Sequence, residues 1–551
     1  MKTFSFVLSA AAALVVAAAC HQEEPVPEPV REPRLFSVSV SEADLVMPVG
    51  GSLELHFRVD EPDYAFNGDV DATDCQIRLA GKDGAAPAEF RMTRVVPGEE
   101  AGSYTAVLTD AGLDVDYRQE VRLLVEAKSS GTGSSFIPSA YFTVRSADSP
   151  YGLRVKTGLP TVYVDTENGR AIVSKEEYVP ASLRIKGTDQ FDGLEEVACD
   201  IRGRGNTTWT WPKKPYLLKL NEKQSVFGLP KHKRWILLAN FMDRTLMRNL
   251  VSMKVASLTG LDWTPHCVPV ELVLNGKHVG NYLLIEQVRV DKKRVNITEM
   301  KPTDQEGEAL TGGYLLELDF HYDNEIQWVD PHGRNNQWGS GIPFGIKSPD
   351  PDEVTQEQIS YIQQYVFDTA EALYGKNFRD PDRGYAAWLD VDSFIDYWIV
   401  FEVMGNHELG NPGSVYMHKD RGGKLVAGPC WDFDWGVLSY NTSQQARTGL
   451  VNGNAIWYAR LFQDPDFKAK VKARFQQLLP ELEKIPAYID DCEALLTESA
   501  RLNFAMWNPA EDASQNGGRI INGDENMTFH DAVARLKTIY QERLTVISKN
   551  L

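Results

Sequence analysis

Beyond its N-terminus the sequence has no apolar run approaching the roughly 18–20 residues needed to cross a bilayer, which excludes a polytopic membrane protein. Cysteine is scarce, with six among 551 residues and no C-x-x-C pair. Apart from Cys20, the cysteines at 75, 199, 267, 430 and 492 are scattered and odd in number. That supports neither a disulfide framework nor a zinc site, and small buried hydrophobes are their plain role. No G-x-S-x-G occurs, so a nucleophile-elbow hydrolase lacks its motif. Basic charge is in deficit: 57 Lys+Arg face 77 Asp+Glu, a formal net charge of -20, against a nucleic-acid binder that works through overall charge. With 43% hydrophobic and 24% charged residues the chain has ordinary globular composition, so wholesale disorder and fibrous repeats are excluded. Its length suits about three or four domains, or one large domain with additions.

The N-terminus reads as an export signal. Lys2 supplies positive charge, Phe4 through Ala19 is apolar and ends in small residues, and Ala17-Ala18-Ala19-Cys20 looks like a bacterial lipobox. The expectation is a signal over 1–19 and lipidation of Cys20; ordinary cleavage after Ala19 is the plainer alternative. His21-Gln22-Glu23-Glu24 resembles the export tag of some surface lipoproteins. A lipid anchor would tether the chain to the cell envelope, at the outer membrane and facing outward, without spanning it. Residues 20–34 then form a proline-rich, charged and stiff spacer.

From 35 to 147 short alternating segments such as Leu53–Val59, Tyr104–Leu108 and Glu120–Val125 are divided by Gly, Asp and Pro turns. This predicts an all-β, immunoglobulin-like sandwich with a spacer or adhesion role and no catalytic cluster. Residues 129–135 (SSGTGSS) read as a loop within it. The remainder, 148–551, is mixed α and β. Strands are expected at 162–164, 182–185, 197–202, 216–220, 234–239, 268–275, 280–286 and 313–319. Helices are expected at 242–258, 352–375, 391–405 and through most of the stretch after 455, within a helical C-terminal part from about 441.

The charge is unevenly placed. Between Arg202 and Arg248 lie eleven basic residues, among them Arg202, Arg204, Lys213, Lys214 and Lys219, against only Glu222 and Asp243. Such concentration serves a polyanion or phosphate, or else is a solvated face balanced elsewhere. Arg202-Gly203-Arg204-Gly205-Asn206-Thr207 is a glycine-spaced turn whose amides can approach an anion. Further on, Asp420–Gly423 is a hairpin signal between 415–419 and 424–428. The second strand runs into Trp431-Asp432-Phe433-Asp434-Trp435-Gly436. In extended chain, residues i and i+2 share a face, so Asp432 and Asp434 converge on one divalent cation; the plainer reading is a pair capping loop amides. A phosphate-gripping basic region followed by a metal-gripping acid pair matches the parts of nucleotide-dependent phosphoryl transfer. Trp209, Trp211, Trp328, Trp338 and Trp457 would also suit sugar stacking, although most read as packing.

RGRGNTTW…KKPYLLKL at 202–220, RWILLANFMDRTLMRN at 234–249, VELVLNGKHVGNYLLIEQV at 270–288, GGYLLELD at 312–319 and WDFDWG at 431–436 resemble the CotH family of spore-coat-protein-H-like atypical protein kinases. The resemblance runs from about 150 to the C-terminus. It implies a divergent kinase-like α+β fold that transfers phosphate from ATP, with Mg²⁺ or Mn²⁺, to protein Ser/Thr. By the same resemblance Lys214 (or Lys213) would contact the nucleotide phosphates; Arg202 and Arg204 are candidates for the same grip from the basic glycine-spaced turn itself. Glu286 would pair with that lysine or be an ordinary strand-end charge. Asp432 would bind metal, with Asp434 second. The family places a catalytic aspartate, followed by an asparagine, ahead of the strand at 415; here the stretch 405–416 holds no aspartate. Glu408 stands at the corresponding place, with Asn406, His407 and Asn411 near it, and Asn411 is a candidate second metal ligand. Glutamate reaches one methylene further, so a weak or inactive module with a structural, adhesive or carbohydrate-associated role is the alternative. A monomer with a protein substrate and no nucleic-acid partner is the expectation.

Overall fold

A computed structural model describes residues 36–48, 50–60, 76–113, 118–127, 135–146, 153, 157–320, 326–335, 339–439, 448–510 and 521–551. The expected signal, Cys20, the proline spacer, Cys75 and Trp338 lie outside the described residues. The chain divides into two compact units, Met1–Ala147 and Asp148–Leu551.

In the first unit, β1 (Val38–Val40), β3 (Ser52–Val59), β6 (Ser103–Asp110) and β5 (Phe90–Pro97) form one sheet in that order. A second runs β2 (Asp44–Met47), β9 (Phe142–Ser146), β7 (Arg118–Ala127) and β4 (Ile77–Gly81), with β8 (Ser135–Pro138) also paired to β7. Period-two alternation makes each sheet one-sided: in β7, Val121, Leu123 and Val125 are buried and their neighbours are not. Residues of both sheets, Leu55 and Leu108 with Val121 and Leu123, share one apolar core.

The second unit opens with a closed barrel. Its strands run β10 (Thr161–Thr166), β11 (Val179–Lys186), β12 (Leu194–Gly203), β13 (Tyr216–Gln224), β14 (His232–Leu238), β16 (Lys277–Glu286) and β15 (Cys267–Leu274). Parallel pairing of β10 with β15 closes it. Alternation divides the strands between two cores: Ile201, Leu218, Trp235 and Leu284 fill the barrel. Leu217, Ile236, Leu238 and Ile285 point outward and join the core of the rest of the unit. That larger core holds a five-stranded sheet in the order β18 (Gln327–Asp330), β19 (Ile342–Ser348), β17 (Tyr314–Leu318), β20 (Val415–Lys419), β21 (Leu425–Ala427). The long helices are α1 (Arg248–Ala256), α2 (Gln356–Tyr374), α3 (Val391–Val403), α4 (Pro465–Leu482), α5 (Ile485–Met506) and α6 (Phe529–Asn550).

One helix differs from its expected span of 242–258. It begins at Arg248 because the Asp243 carboxylate accepts the backbone N–H groups of Thr245 and Arg248, at 2.9 and 2.8 Å, in a turn ahead of it. Asn240 and Leu246 there have φ of 46° and 56°, the left-handed region a helix excludes.

Candidate active site

A cavity of 760 Å³ is bounded by the outward face of the barrel, the β17–β20 sheet and the loops flanking β20 and β21. This volume is typical of small-molecule sites. Its barrel wall follows from register. Arg202 opposes Leu217, Leu217 opposes Ile236, and Ile236 opposes Ile285, so one outward row crosses β12, β13, β14 and β16. Arg202 lies 5.0 Å from the Tyr178 ring, and its buried Nε has no partner among the described residues. Arg204 reaches across to the Trp431 ring at 5.8 Å. Gly205, with φ of 86°, lets the turn pass beside Thr208, where a Cβ would meet the hydroxyl at 2.1 Å. Both arginines, with Gly205, Asn206 and Thr208, line the cavity.

Opposite stand carboxylates. Glu317, Asp319, Glu408, Asp432 and Asp434 all line the same space. Residues 431–436 form no strand, and Asp432 has φ of 63°, so the extended geometry expected for the pair is corrected to a left-handed turn. The two carboxyls still come close enough for each to shift the titration of the other, and Ser414 lies near enough to favour the charged form of Asp432. Burial, then the charge of Asp432, holds Asp434 well above the usual carboxylate range. Burial also raises Asp432, against the favourable charge of Arg204. Glu408 is raised well above its ordinary value by burial, then by Asp432, Asp434 and Asp319. Its loop is fixed by Asn406, which accepts the Glu408 N–H at 2.8 Å and donates to the Asp432 carbonyl at 3.4 Å. Asn411 follows on the same cavity wall.

The acid loop is held from outside. Asn249 on α1 accepts the Phe433 N–H at 2.8 Å. Asn522 accepts the Gly436 N–H at 2.9 Å and donates to the carbonyls of Met242 and Asp434 at 3.1 Å each. Next to it Arg248, wholly buried, pairs with Asp243 and with Asp524 and donates to the Val437 carbonyl at 2.7 Å.

Three expected positions are not in the cavity. The Lys213 ammonium is consumed by the carbonyls of Ala239 and Asn281 and by the Asn503 carboxamide, which leaves no donor for a phosphate. Lys214 turns back on its own turn, donating to the Trp209 carbonyl at 2.8 Å. Glu286 pairs with neither lysine. It accepts from His266 and makes an ion pair with Arg294 at 3.4 Å. The lysine–glutamate pair on the cavity wall is Lys347–Glu317, at 2.9 Å, with the Tyr416 hydroxyl also donating to Glu317 at 2.7 Å. Sequence reasoning missed both, although GGYLLELD contains Glu317 and Asp319 at the i, i+2 spacing that puts them on one strand face.

A model of the CotH family, described as CotH kinase protein, matches residues 201–547. The chain belongs to the CotH family. Residues 201–547 are thus a kinase-related CotH module, and the cavity is lined from within that span except for Lys175 and Glu176, which precede it. Among curated proteins none matches the chain.

The CotH cavity can be tested for the groups that ATP-dependent chemistry requires. Among the described residues no three or more His, Cys, Asp or Glu side chains gather as a metal cluster. Magnesium-like ions, however, take one or two carboxylates and complete their shell with phosphate oxygens and water. Two mutually repelling carboxyls held against one wall, with guanidinium groups facing them, fit that donor set. The unpartnered Arg202 Nε fits a phosphate oxygen.

Proposed function

We propose that the CotH module is a metal-dependent phosphotransferase that moves the terminal phosphoryl of ATP to a protein Ser/Thr hydroxyl. The observation that carries this reading is the meeting, in one cavity, of Arg202, Arg204 and Lys347 with Asp432, Asp434 and Glu408. Arg202 and Arg204 would grip phosphate oxygens, and Lys347 would add charge once drawn from Glu317. Asp432 and Asp434 would hold Mg²⁺ or Mn²⁺, which would neutralise phosphate charge. Glu408 orients the acceptor hydroxyl and takes its proton as the new O–P bond forms and ADP leaves with the electrons of the broken bond. For that step Glu408 must be ionised.

The raised Glu408 carboxyl favours a second reading. A protonated acid in the place of the family aspartate suits a module that binds nucleotide without turning it over. We further place the module at the cell surface, tethered through lipidated Cys20 and the proline spacer, with the all-β unit as an immunoglobulin-like spacer.

The test is nucleotide titration with and without Mg²⁺ or Mn²⁺ for wild type, Arg204→Ala and Asp432→Ala, followed by phosphoryl transfer to a generic protein acceptor. Binding that needs both residues and the metal is expected. A structural or adhesive module predicts no metal-dependent binding, and binding without transfer selects the second reading. For the anchor, incorporation of a palmitate analogue should vanish in Cys20→Ala.

A further inference from the structure

Helix α3 leads directly into the loop that carries Glu408. Gly405, with φ of 61°, ends the helix, and Asn406 follows. The acid loop is tied to the same turn, since the Leu438 N–H donates to the Met404 carbonyl at 3.0 Å. This helix end is fixed by Arg543 on α6, 141 positions away. The buried Arg543 guanidinium pairs with the Glu402 carboxylate and donates to the Glu402 carbonyl at 3.2 Å, a cation at the negative end of the helix dipole. It also donates to the Gly449 carbonyl at 3.0 Å. The Glu402 carboxylate in turn accepts the backbone N–H groups of Val451 and Asn452, at 2.7 and 2.8 Å. Helix α3, helix α6 and the segment at 449–452 therefore meet at one buried ion pair, which seats Asn452.

The Asn452 carboxamide makes one directed contact. Its N–H donates to the Asn406 carbonyl at 2.8 Å, while its buried Oδ1 has no partner among the described residues. A buried acceptor without a donor is costly, so packing alone would be served better by an apolar side chain of this shape. What the amide supplies is the donor to Asn406. Asn406 is itself fully buried, and its side chain accepts the Glu408 N–H and donates to the Asp432 carbonyl. We propose that Asn452 is a positioning residue for phosphoryl transfer, seated by Glu402 and Arg543 and acting through Asn406 on Glu408 and Asp432 together. This rests on the nucleotide reading above and extends it to the side of the loop that faces away from the cavity. Outer partners of metal ligands commonly matter by about 10–100-fold in metal affinity, and a displacement of about 1 Å at a reacting group costs on the order of 10²-fold in rate.

Calorimetric titration of the full chain with ATP at increasing Mn²⁺ tests this. Asn452→Leu keeps the shape and the backbone N–H to Glu402 and removes only the donor to Asn406. The Mn²⁺ concentration for half-maximal ATP binding should rise about tenfold, with ATP affinity at saturating metal within about twofold of wild type. Its melting temperature should stay within ~3 °C, because an unpartnered oxygen leaves together with the donor. Arg543→Met should displace the metal midpoint in the same direction and also lower the melting temperature, and Arg543→Lys, which keeps the charge beside Glu402, should restore part of both. The double variant Asn452→Leu/Arg543→Met should show less than the product of the two midpoint displacements, since both act through Asn406. Calorimetric stoichiometry counts the folded molecules, so partial misfolding changes the stoichiometry and not the midpoint. The metal midpoint also needs no turnover, so it serves an inert wild type equally. A wild-type midpoint in Asn452→Leu, or displacements that multiply fully, would overturn the positioning role while leaving nucleotide binding intact. Absence of metal-dependent ATP binding in wild type would overturn the nucleotide reading and this inference with it.

Discussion

The Lys213 ammonium donates to the Asn503 carboxamide oxygen at 2.8 Å across 290 positions, joining the turn before β13 to helix α5. Asn503 uses the same oxygen to accept the Asn281 N–H at 3.2 Å, so barrel and C-terminal helix share one buried polar joint. A lysine in the basic window thus holds the unit together instead of gripping a ligand.

Lys213→Ala should therefore destabilise the CotH module by about 3 kcal/mol, because three buried acceptors each lose a donor and Asn503 keeps only the Asn281 N–H. Arg204→Ala should leave the melting temperature nearly unchanged and weaken nucleotide binding about tenfold or more. Thermal melts paired with nucleotide titrations separate the two. Lys213→Ala melting like wild type while losing nucleotide affinity would restore that lysine to the binding site.

The acid pair predicts a conflict between stability and function. A carboxyl whose native pKa is raised stabilises the fold fully below the ordinary carboxylate range, and that contribution is lost as pH rises through the raised native value. Asp434, Asp432 and Glu408 are all raised, so the metal-free module should lose stability with rising pH above the ordinary range. Asp434→Asn removes one charge with little change of shape. It should raise the metal-free melting temperature at neutral pH by ~1–3 °C in a unit this large, and flatten the slope. Mg²⁺ or Mn²⁺ should raise the melting temperature of wild type and not of the variant. A variant less stable than wild type at every pH would refute this account of the pair.

Asn522 lies outside the cavity, yet it fixes the acid loop through Gly436, Asp434 and Met242. Partners that orient metal ligands commonly matter by about 10–100-fold in metal affinity. Asn522→Ala should accordingly raise the metal concentration needed for half-maximal nucleotide binding by that factor. Nucleotide binding at saturating metal should be little changed. A uniform loss at all metal concentrations would show a folding defect instead.

What the sequence made legible was whatever is local. Alternation placed the barrel strands within a few residues, and the Asp420–Gly423 turn fixed the β20–β21 hairpin, whose register pairs Met417 with Ala427. WDFDWG carried the acid pair, although the left-handed Asp432 was not legible: aspartate tolerates a positive φ better than most residues, but nothing in the string says which of the two takes one. The Lys213 assignment failed, and Lys347 was missed, for a non-local reason. Whether either faces the cavity depends on Ala239, Asn281, Asn503 and Glu317, all more than twenty positions away in sequence. Lys214 is turned away locally, by the Trp209 carbonyl on its own turn. Burial of an ammonium among three oxygens leaves no periodic signature. The same holds for Asn522, whose partners are 80 and more positions distant.

Glu408 decides between catalysis and binding. The stretch before β20 does reach the acid pair: Asn406 donates to the Asp432 carbonyl, the Ser414 N–H donates to the neighbouring Asp319 carboxylate, and the carboxyl of Glu408 responds to the charge of Asp432, Asp434 and Asp319. If Glu408 takes the proton of the acceptor hydroxyl, turnover requires its ionised form, and the rate should rise with pH through a value well above that of an ordinary glutamate. Glu408→Gln copies the shape of the protonated acid and cannot be ionised. It should bind nucleotide and metal as well as wild type, or better for loss of a repelling charge, with turnover reduced by about 10²–10⁴-fold. Glu408→Asp restores the family residue one methylene shorter. It should retain turnover, with the pH midpoint of the rate displaced. Single-turnover phosphoryl transfer across pH 5 to 9 for the three proteins gives the answer. An undiminished rate in Glu408→Gln would remove Glu408 from the chemistry. Transfer in Glu408→Asp together with an inert wild type would identify the natural protein as a nucleotide-binding module whose added methylene had abolished a kinase activity.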